Sequence, residues 1–282
     1  MDKNSFLALV RQCFDEIEGN TGYLPLEDSE IPVLEEPLVG FASADDPVFE
    51  LFSDENVIGP EWRSPGEWLK GARTAVAFFF PFTEEVKRRV REEKGPVSAA
   101  WNICYGRNNY LVNQFTDSLI ARLEKEGIRA CAPVRSPDFR RNVIKTVNGE
   151  AEDLHYSVSW SNRHICYAAG LGTFGIHRHI ITEKGCCGTL GSIVMGLEIE
   201  PTKRQYKEIY GYCDKCGRCI SRCPVNAITK EHLRNLKICS THAGALREKY
   251  DGAMCGKCLV GIPCESAVPS DTSAKDEACD KV

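Results

Sequence analysis

The spacing of apolar residues predicts alternating helices and strands over most of the chain before residue 205. An N-terminal helix is predicted because apolar residues recur at helical spacing and would share one face: Phe6, Val10, Cys13, Phe14 and Ile17. The unbroken apolar run 75–80, closed by Pro81, is typical of a strand covered on both faces. A helix is predicted over 109–126, where apolar residues recur one turn apart and Gly127 follows as a C-cap.

Further strands are predicted over 128–134 and 191–200, with a helix over 161–169 between them. This alternation favours an α/β domain, which we place at residues 1–204. A second, smaller unit rich in Cys, Gly and Pro occupies residues 205–268. The polar residues 269–282 are expected to form a flexible tail, in which Cys279 has no role.

Charge and hydropathy narrow the function classes. The 35 basic and 40 acidic side chains give a net charge of −5, so the overall charge offers no basis for holding a nucleic acid. No apolar stretch approaches the roughly 20 residues of a membrane span, and the N-terminus lacks the apolar block of a signal peptide. We therefore expect a cytoplasmic protein without a membrane contact.

Cysteine is the residue type that points to chemistry. The chain has 15 cysteines, and eight of them fall between Cys213 and Cys264. Cytosolic thiols stay reduced, so this density indicates metal ligation or redox chemistry and not a disulfide framework.

The spacing within the first half of this segment identifies the metal. Cys213, Cys216, Cys219 and Cys223, followed by Pro224, form the C-x2-C-x2-C-x3-C-P run of bacterial ferredoxins. Soft thiolates select iron–sulfur clusters or zinc. A zinc ribbon would show two separated C-x2-C pairs without a third cysteine and the Cys-Pro step, so clusters are favoured.

The second half of the segment is less regular. It supplies the four remaining cysteines: Cys239, Cys255, Cys258 and Cys264. If the fourth ligands are exchanged as in two-cluster ferredoxins, one [4Fe–4S] cluster receives Cys213, Cys216, Cys219 and Cys264. The other cluster then receives Cys223, Cys239, Cys255 and Cys258. Five residues separate Cys258 from Cys264 where ferredoxins have three, and Cys239 stands alone.

Four stretches give the chain a family resemblance. WLKGARTAVAFFFPF, YGRNNYLVNQF and AGLGTFGIHRHIITEKG, which continues into GSIVMGLEIEP, precede the cluster segment in that order. Residues 68–266 thereby resemble the epoxyqueuosine reductase family, cobalamin-dependent relatives of the reductive dehalogenases. GIPCES at 261–266 resembles the cluster region of a short subgroup of that family.

The resemblance implies a fold, a second cofactor and its contacts. It implies a nitroreductase-like cobalamin-binding domain followed by a ferredoxin-like domain, with base-off cobalamin held between them. By similarity, Gly106 and Arg107 would lie near the corrinoid, Gly191 on the strand beneath it, and His242 close to it.

The proton donor departs from the family pattern. Counting fourteen residues back from Gly170, where epoxyqueuosine reductases carry an acidic residue, leads to Tyr156. Reductive dehalogenases use a tyrosine in this role, so Tyr156 is the predicted catalytic residue, with Asp153 as the alternative if the register slips by three residues. The family's lysine after the second glycine is His177 here.

Several other motifs have plainer explanations. His155, His164, His177 and His179 lack metal-site spacing. The pair Cys186-Cys187 is better explained as small residues in a tight turn near the corrin than as a redox pair. GLGTFG follows a predicted helix, unlike a dinucleotide-binding loop. Cys13, Cys104, Cys131 and Cys166 lie among apolar residues and are expected to be core thiols.

Two functions remain open from the sequence. The preferred one is a cobalamin- and iron–sulfur-dependent reductase that takes electrons from an external low-potential donor, such as a ferredoxin or flavodoxin, and cleaves a C–O or C–X bond. The alternative is an electron-transfer or corrinoid-reducing protein that serves a partner. The sequence shows no counterpart of the C-terminal helical repeats that help longer relatives hold tRNA, so a small-molecule substrate is expected.

Overall fold

A four-stranded antiparallel sheet lies at the centre of the computed structural model, which describes residues 1–24, 27–148, 150–250 and 254–269. The helices are α1 (Lys3–Asp15), α2 (Pro65–Trp68), α3 (Glu84–Glu92), α4 (Ala99–Lys125), α5 (Asn162–Ala168), α6 (Arg218–Ser221) and α7 (Leu236–Lys249). The strands are β1 (Thr21–Leu24), β2 (Ser29–Pro32), β3 (Leu38–Ser43), β4 (Thr74–Pro81), β5 (Ala130–Cys131), β6 (Arg141–Asn148), β7 (Ala151–Val158), β8 (Gly172–Phe174), β9 (Ile180–Thr182), β10 (Gly188–Met195), β11 (Ile228–Thr229) and β12 (Leu233–Arg234).

The central sheet has the strand order β3-β4-β10-β5, and every pairing in it is antiparallel. The predicted mixture of helices and strands is therefore confirmed. Strict alternation of strands and helices favours a parallel sheet, as in α/β proteins. The antiparallel pairing observed here is instead typical of α+β proteins. The remaining strands form two-stranded ladders: β1–β2, β6–β7, β8–β9 and β11–β12.

Strand β4 is buried along its whole length, as the apolar run predicted. Successive side chains of a strand point to opposite faces. Val76, Phe78 and Phe80 belong to the apolar cluster that includes residues of α1 and α4. Ala75 and Ala77 belong to a second cluster on the other face, which includes residues of α5.

Three predicted elements differ in extent from the observed ones. Helix α4 begins ten residues before the predicted start, because the Ser98 hydroxyl caps it by accepting the Trp101 N–H (3.0 Å). The strand predicted over 128–134 shortens to β5, since a 3₁₀ turn starts at Pro133. The strand predicted over 191–200 is β10, which begins three residues earlier and ends at Met195.

The small cysteine-rich unit packs directly on the large one. Leu259, Val260 and Ile262 belong to the same apolar cluster as Phe82 and Trp101 of the preceding part of the chain. The predicted tail, apart from residue 269, lies outside the described residues. Within the described ranges, no helix is both long enough and apolar enough to cross a bilayer.

Gly191 marks a close approach of α4 to the sheet. A Cβ atom at this position would lie 2.9 Å from the Val112 Cγ1 of α4. By contrast, a Cβ at Gly106, on the same helix, would meet no atom within 4 Å. Of the two glycines that the resemblance assigns to the corrinoid, Gly191 thus has no room for a side chain, whereas Gly106 does.

We expect Gly191→Ala to lower the free energy of unfolding by about 1–3 kcal/mol, because the β-branched Val112 cannot easily move away. Gly106→Ala, the matched control, should instead raise it by about 0.5–1 kcal/mol, since alanine replaces glycine inside a helix. Denaturant unfolding of the single variants and of Gly191→Ala/Val112→Ala measures both effects. An additive double variant would contradict the proposed steric contact.

Candidate metal centre and active site

The eight cysteines of residues 213–264 approach one another in two groups. Burial, together with nearby thiols, raises the pKa of the Cys219 thiol to about 12, and these thiols are Cys258, Cys264, Cys213 and Cys216. Burial likewise raises the pKa of Cys258 to about 11; Arg234 lowers it, and the thiols that raise it are those of Cys255, Cys239 and Cys223. Cys255 is also close to Cys239 and Cys223. Cys213, Cys216, Cys264 and Cys258 thus lie near Cys219, while Cys223, Cys239 and Cys255 lie near Cys258. The division of the eight cysteines into two crossed ligand sets stays a prediction.

The loop around Cys216 owes its shape to two residues with left-handed backbone. Lys215 has φ 54° and Gly217 has φ 81°, so the chain turns tightly on both sides of Cys216. Gly217 then caps the short helix that carries Cys219. One turn further on, the Cys223 sulfur accepts the Ala227 N–H (3.2 Å).

The lone Cys239 lies on α7, which the β6–β7 hairpin holds in place. Asp153 of β7 accepts the Leu236 N–H (2.5 Å) and the Lys237 N–H (3.2 Å) at the first turn of this helix. The Asn235 side chain, which caps α7, donates to the Glu152 carbonyl (3.0 Å). The hairpin therefore fixes the helix that brings Cys239 to its group.

The segment with Cys264 is fixed by the large unit. The Cys186 N–H donates to the Cys264 carbonyl (2.8 Å), and the Cys187 N–H donates to the Glu265 carbonyl (3.1 Å). The Glu265 carboxylate is buried and pairs with Arg91 of α3. Cys264, with its irregular spacing, therefore owes its position to contacts outside the cysteine-rich segment.

His177 and Cys186 surround the Cys264 sulfur. The His177 Nδ1 accepts the His179 N–H (3.1 Å), so the proton of the neutral ring resides on Nε2, which faces the Cys264 Sγ at 3.6 Å. The Cys186 thiol donates to the same sulfur at 4.0 Å. Hydrogen bonds from Cys186 and His177 lower the pKa of Cys264 to about 6, despite its burial. Burial raises the pKa of Cys186 well above its usual value, so Cys264 is the preferred thiolate of the pair.

The two candidate proton donors lie on opposite faces of β7, because three positions separate them along a strand. Asp153 is 2% exposed, and its carboxylate contacts both α7 and Arg178. The Arg178 Nη2 lies 3.5 Å from the Asp153 Oδ2. Tyr156 lies half-buried on the other face, where the Arg141 guanidinium is 4.2 Å from the centroid of its ring. Asp153 thus has a structural role, and Tyr156 is the more available of the two.

The four residues that the resemblance places near a corrinoid have different surroundings. Gly106 is exposed on α4, and Arg107 donates to the Gly19 carbonyl (2.8 Å). Gly191 is buried beneath α4. His242 lines a crevice of about 490 Å³ between α7 and β7, and its buried Nε2 has no partner among the described residues.

The four histidines considered as a metal site do not share one centre. His155 bonds the Ile58 carbonyl, His164 the Ser161 hydroxyl, and His179 the Arg234 guanidinium. Of the four, His177 is the one found within a possible metal-ligand group, together with Cys186 and Cys264.

A set of buried and half-buried arginines next to these histidines was not predicted from the sequence. Arg163, Arg178 and Arg234 come from three separate segments, and Arg163 donates to the Arg178 carbonyl (2.9 Å). The available signal was the immediate proximity of Arg163 and Arg178 to histidines in the sequence, but the histidines drew the interpretation towards metal binding.

Comparison with known proteins supports the assignment of the cysteine-rich segment and of the fold. Residues 206–229 match a family model described as a 4Fe-4S binding domain. Similar solved structures include epoxyqueuosine reductase from Streptococcus thermophilus, at 17% identity and a TM-score of 0.50 over 81% of this chain and 62% of that one. An epoxyqueuosine reductase with a tRNA-Tyr epoxyqueuosine-modified stem loop matches at 15% identity and a TM-score of 0.52, over 96% of this chain and 69% of that one.

The catabolic reductive dehalogenase NpRdhA matches at 15% identity and a TM-score of 0.53, over 83% of this chain and 30% of that one. The chain thus spans less than two thirds of the Streptococcus enzyme and under a third of the dehalogenase. No curated protein matches the sequence significantly. The chain has the fold of the epoxyqueuosine reductases and reductive dehalogenases and carries a 4Fe-4S binding domain, which confirms the predicted resemblance at the level of the fold.

Proposed function

We propose that this protein is a cobalamin- and iron–sulfur-dependent reductase. In this proposal, electrons from a low-potential ferredoxin or flavodoxin pass through two [4Fe–4S] clusters and serve to cleave a C–O or C–X bond of a small molecule. The observation that carries the proposal is the convergence of eight cysteines around Cys219 and Cys258, on a fold shared with reductases.

The thiol groups fit two clusters. Cys213, Cys216, Cys219 and Cys264 would hold one of them, and Cys223, Cys239, Cys255 and Cys258 the other. Tetrahedral zinc also accepts four thiolates, but the third cysteine and the Cys-Pro step of the motif favour iron–sulfur clusters. The match of residues 206–229 to a 4Fe-4S binding domain supports the same choice.

The crevice beside α7 is suited to part of a large ligand. Its lining is mostly apolar and includes Val225, Ile238 and Ala245, while the orphan Nε2 of His242 offers a polar contact. Cobalamin, when bound, would supply a strongly reducing metal for bond cleavage. Gly106, Arg107, Gly191 and His242 are proposed to border it.

The role proposed for Tyr156 is to protonate the substrate carbon. Reductive cleavage leaves negative charge on that carbon, and a positioned acid lowers the barrier. Tyr156 lies on the face of β7 opposite to Asp153, and Arg141 packs over its ring, which restricts the position of the phenol. Asp153 anchors α7 and so positions Cys239.

We expect anaerobically assembled protein to contain about eight iron atoms, as two cubane clusters require. Cys264→Ser should disturb mainly the cluster of Cys213, Cys216 and Cys219, leaving about four iron atoms. Cys131→Ser is the control, because this half-buried thiol lies at the sheet edge. Iron analysis and electron paramagnetic resonance check this prediction, and full occupancy by zinc would overturn it.

Cobalamin binding separates the reductase from a simple electron carrier. Titration of the protein with hydroxocobalamin should shift the visible bands of the corrinoid, and the bound corrinoid should survive desalting. His242→Phe, which keeps an aromatic ring but lacks the polar nitrogen, should weaken binding by about tenfold if the imidazole donates one hydrogen bond. Unchanged bands, with all cobalamin lost on desalting, would leave an electron-transfer function.

Tyr156→Phe should keep its iron and cobalamin but lose about 10²–10⁴-fold in turnover of small aryl halides or epoxides. Asp153→Asn should behave differently, with a free energy of unfolding lower by about 1–3 kcal/mol, because it weakens hydrogen bonds that a charged acceptor makes to α7. Iron content, thermal stability and turnover are measured on both variants. A fully active Tyr156→Phe together with a stable but inactive Asp153→Asn would assign the proton donor to Asp153.

A further inference from the structure

Four arginines concentrate positive charge beside the β6–β7 hairpin. Arg163 of α5 donates one N–H to the Arg178 carbonyl (2.9 Å). Burial lowers the pKa of Arg163 to about 10, and the positive charges of Arg234, Arg141 and Arg178 contribute to this shift. Arg178 lies 3.5 Å from Asp153 of β7, and the Arg141 guanidinium is 4.2 Å from the ring centroid of Tyr156 on the same strand. Arg234 bonds His179, the residue next to Arg178, so the four guanidinium groups gather around one hairpin.

The nearby carboxylate does not balance this charge. Asp153 pairs with Arg178 (3.5 Å) and already accepts N–H groups from the first turn of α7. Over the described residues, no ion pair joins a carboxylate to Arg163 or to Arg234. Arg234 is 8% exposed, bonds the His179 Nε2 (2.8 Å), and has an Nε without a protein partner. Buried charges in proteins are generally paired, because their desolvation is costly.

Arg234 and Arg163 lie beside different parts of the candidate site. Arg234 lowers the pKa of Cys258, so it lies beside the second group of cysteines, whose thiolates are negative when they hold a metal. Arg163 lies near Tyr105 of α4 and near Arg141, which packs on the ring of Tyr156. An anion bound by Arg163 and Arg141 would therefore sit next to the proposed proton donor.

We propose that Arg163, together with Arg141, binds an oxyanion of the substrate, a carboxylate or a phosphate. Guanidinium groups suit this role, because their fixed N–H donors match the geometry of carboxylate and phosphate oxygens. This inference rests on the reductase function proposed above and specifies its substrate class, a small anionic molecule with a reducible C–O or C–X bond. The same chemistry could come from the phosphodiester of cobalamin, so the test separates the two sources.

The test uses inorganic phosphate as the probe. Thermal unfolding of the cluster-containing protein is measured at constant ionic strength, which is set with NaCl. Phosphate at about tenfold excess over its Kd should raise the Tm of the parent by about 2–4 °C. For Arg163→Met, the Kd of phosphate should rise about tenfold or more, since charge-assisted hydrogen bonds are lost. Without phosphate, this variant should be about as stable as the parent, because the loss of one hydrogen bond to the Arg178 carbonyl is offset by removal of a half-buried charge that pairs with no carboxylate among the described residues. A purely structural arginine would instead leave a less stable protein.

Arg140→Met is the matched control. Arg140 directly precedes β6, its side chain is 53% exposed, and it pairs loosely with Asp138. This variant should respond to phosphate like the parent. Arg141→Met, on the exposed β6, should weaken phosphate binding without unfolding the protein. If Arg163→Met loses its iron, the phosphate response of Arg141→Met is compared with that of the parent instead. An equal phosphate response of the parent, Arg163→Met and Arg141→Met would overturn the proposal, as would no response in the parent.

Corrinoid loading distinguishes the two sources of the anion. If phosphate still stabilises the parent after cobalamin is bound, the oxyanion site belongs to the substrate. If cobalamin abolishes the response while cobinamide, which lacks the phosphodiester, does not, the site belongs to the cofactor and the substrate assignment is wrong. Failure of the protein to bind any corrinoid would refute the proposed reductase function, but the phosphate response of the Arg163 variants would still be measured independently.

Discussion

One constraint shapes the cysteine-rich unit, which is that thiols from separate segments of residues 213–264 must meet around Cys219 and Cys258. Burial raises the pKa of Cys219 and Cys258, so these thiols stay protonated until a metal replaces their protons. Metal binding is therefore expected to release protons and to stabilise the folded chain. The large unit provides the support, through a shared apolar cluster and through Arg91, which pairs with Glu265 beside Cys264. The change of composition near residue 205 is thus not a break in packing.

The two groups of cysteines have different electrostatic surroundings. Cys264 has hydrogen-bond contacts with His177 and Cys186, whereas Cys258 lies near the Arg234 guanidinium. Hydrogen bonds to sulfur and nearby positive charge both stabilise the more negative, reduced state of a cluster. If the two proposed clusters are present, these surroundings would adjust their potentials by separate means.

Local pattern predicted the buried elements well and the surface ones poorly. The apolar run of β4 and the cysteine spacing each carry their information in a short stretch of sequence. The β6–β7 hairpin was missed, although Asn148-Gly149 is a strong hairpin signal, because β6 is exposed and shows no buried alternation. The arginine set could not be predicted from spacing at all. Its members are distant in sequence, and tertiary structure alone brings Arg163 close to Arg141 and Arg234.

The two-sided character of β7 has a consequence for how such a protein can diversify. One face, through Asp153, holds the helix with Cys239, and the other presents Tyr156 and Arg141. On the second face, Glu152 also pairs with Lys237 of α7, but side chains around Tyr156 can change without disturbing the contact that Asp153 makes with the helix. Under the proposed reductase function, substitutions at alternate positions of a single strand could therefore alter the substrate preference while Cys239 keeps its position. Insertion or deletion of one residue in this strand would exchange the two faces and abolish both properties together.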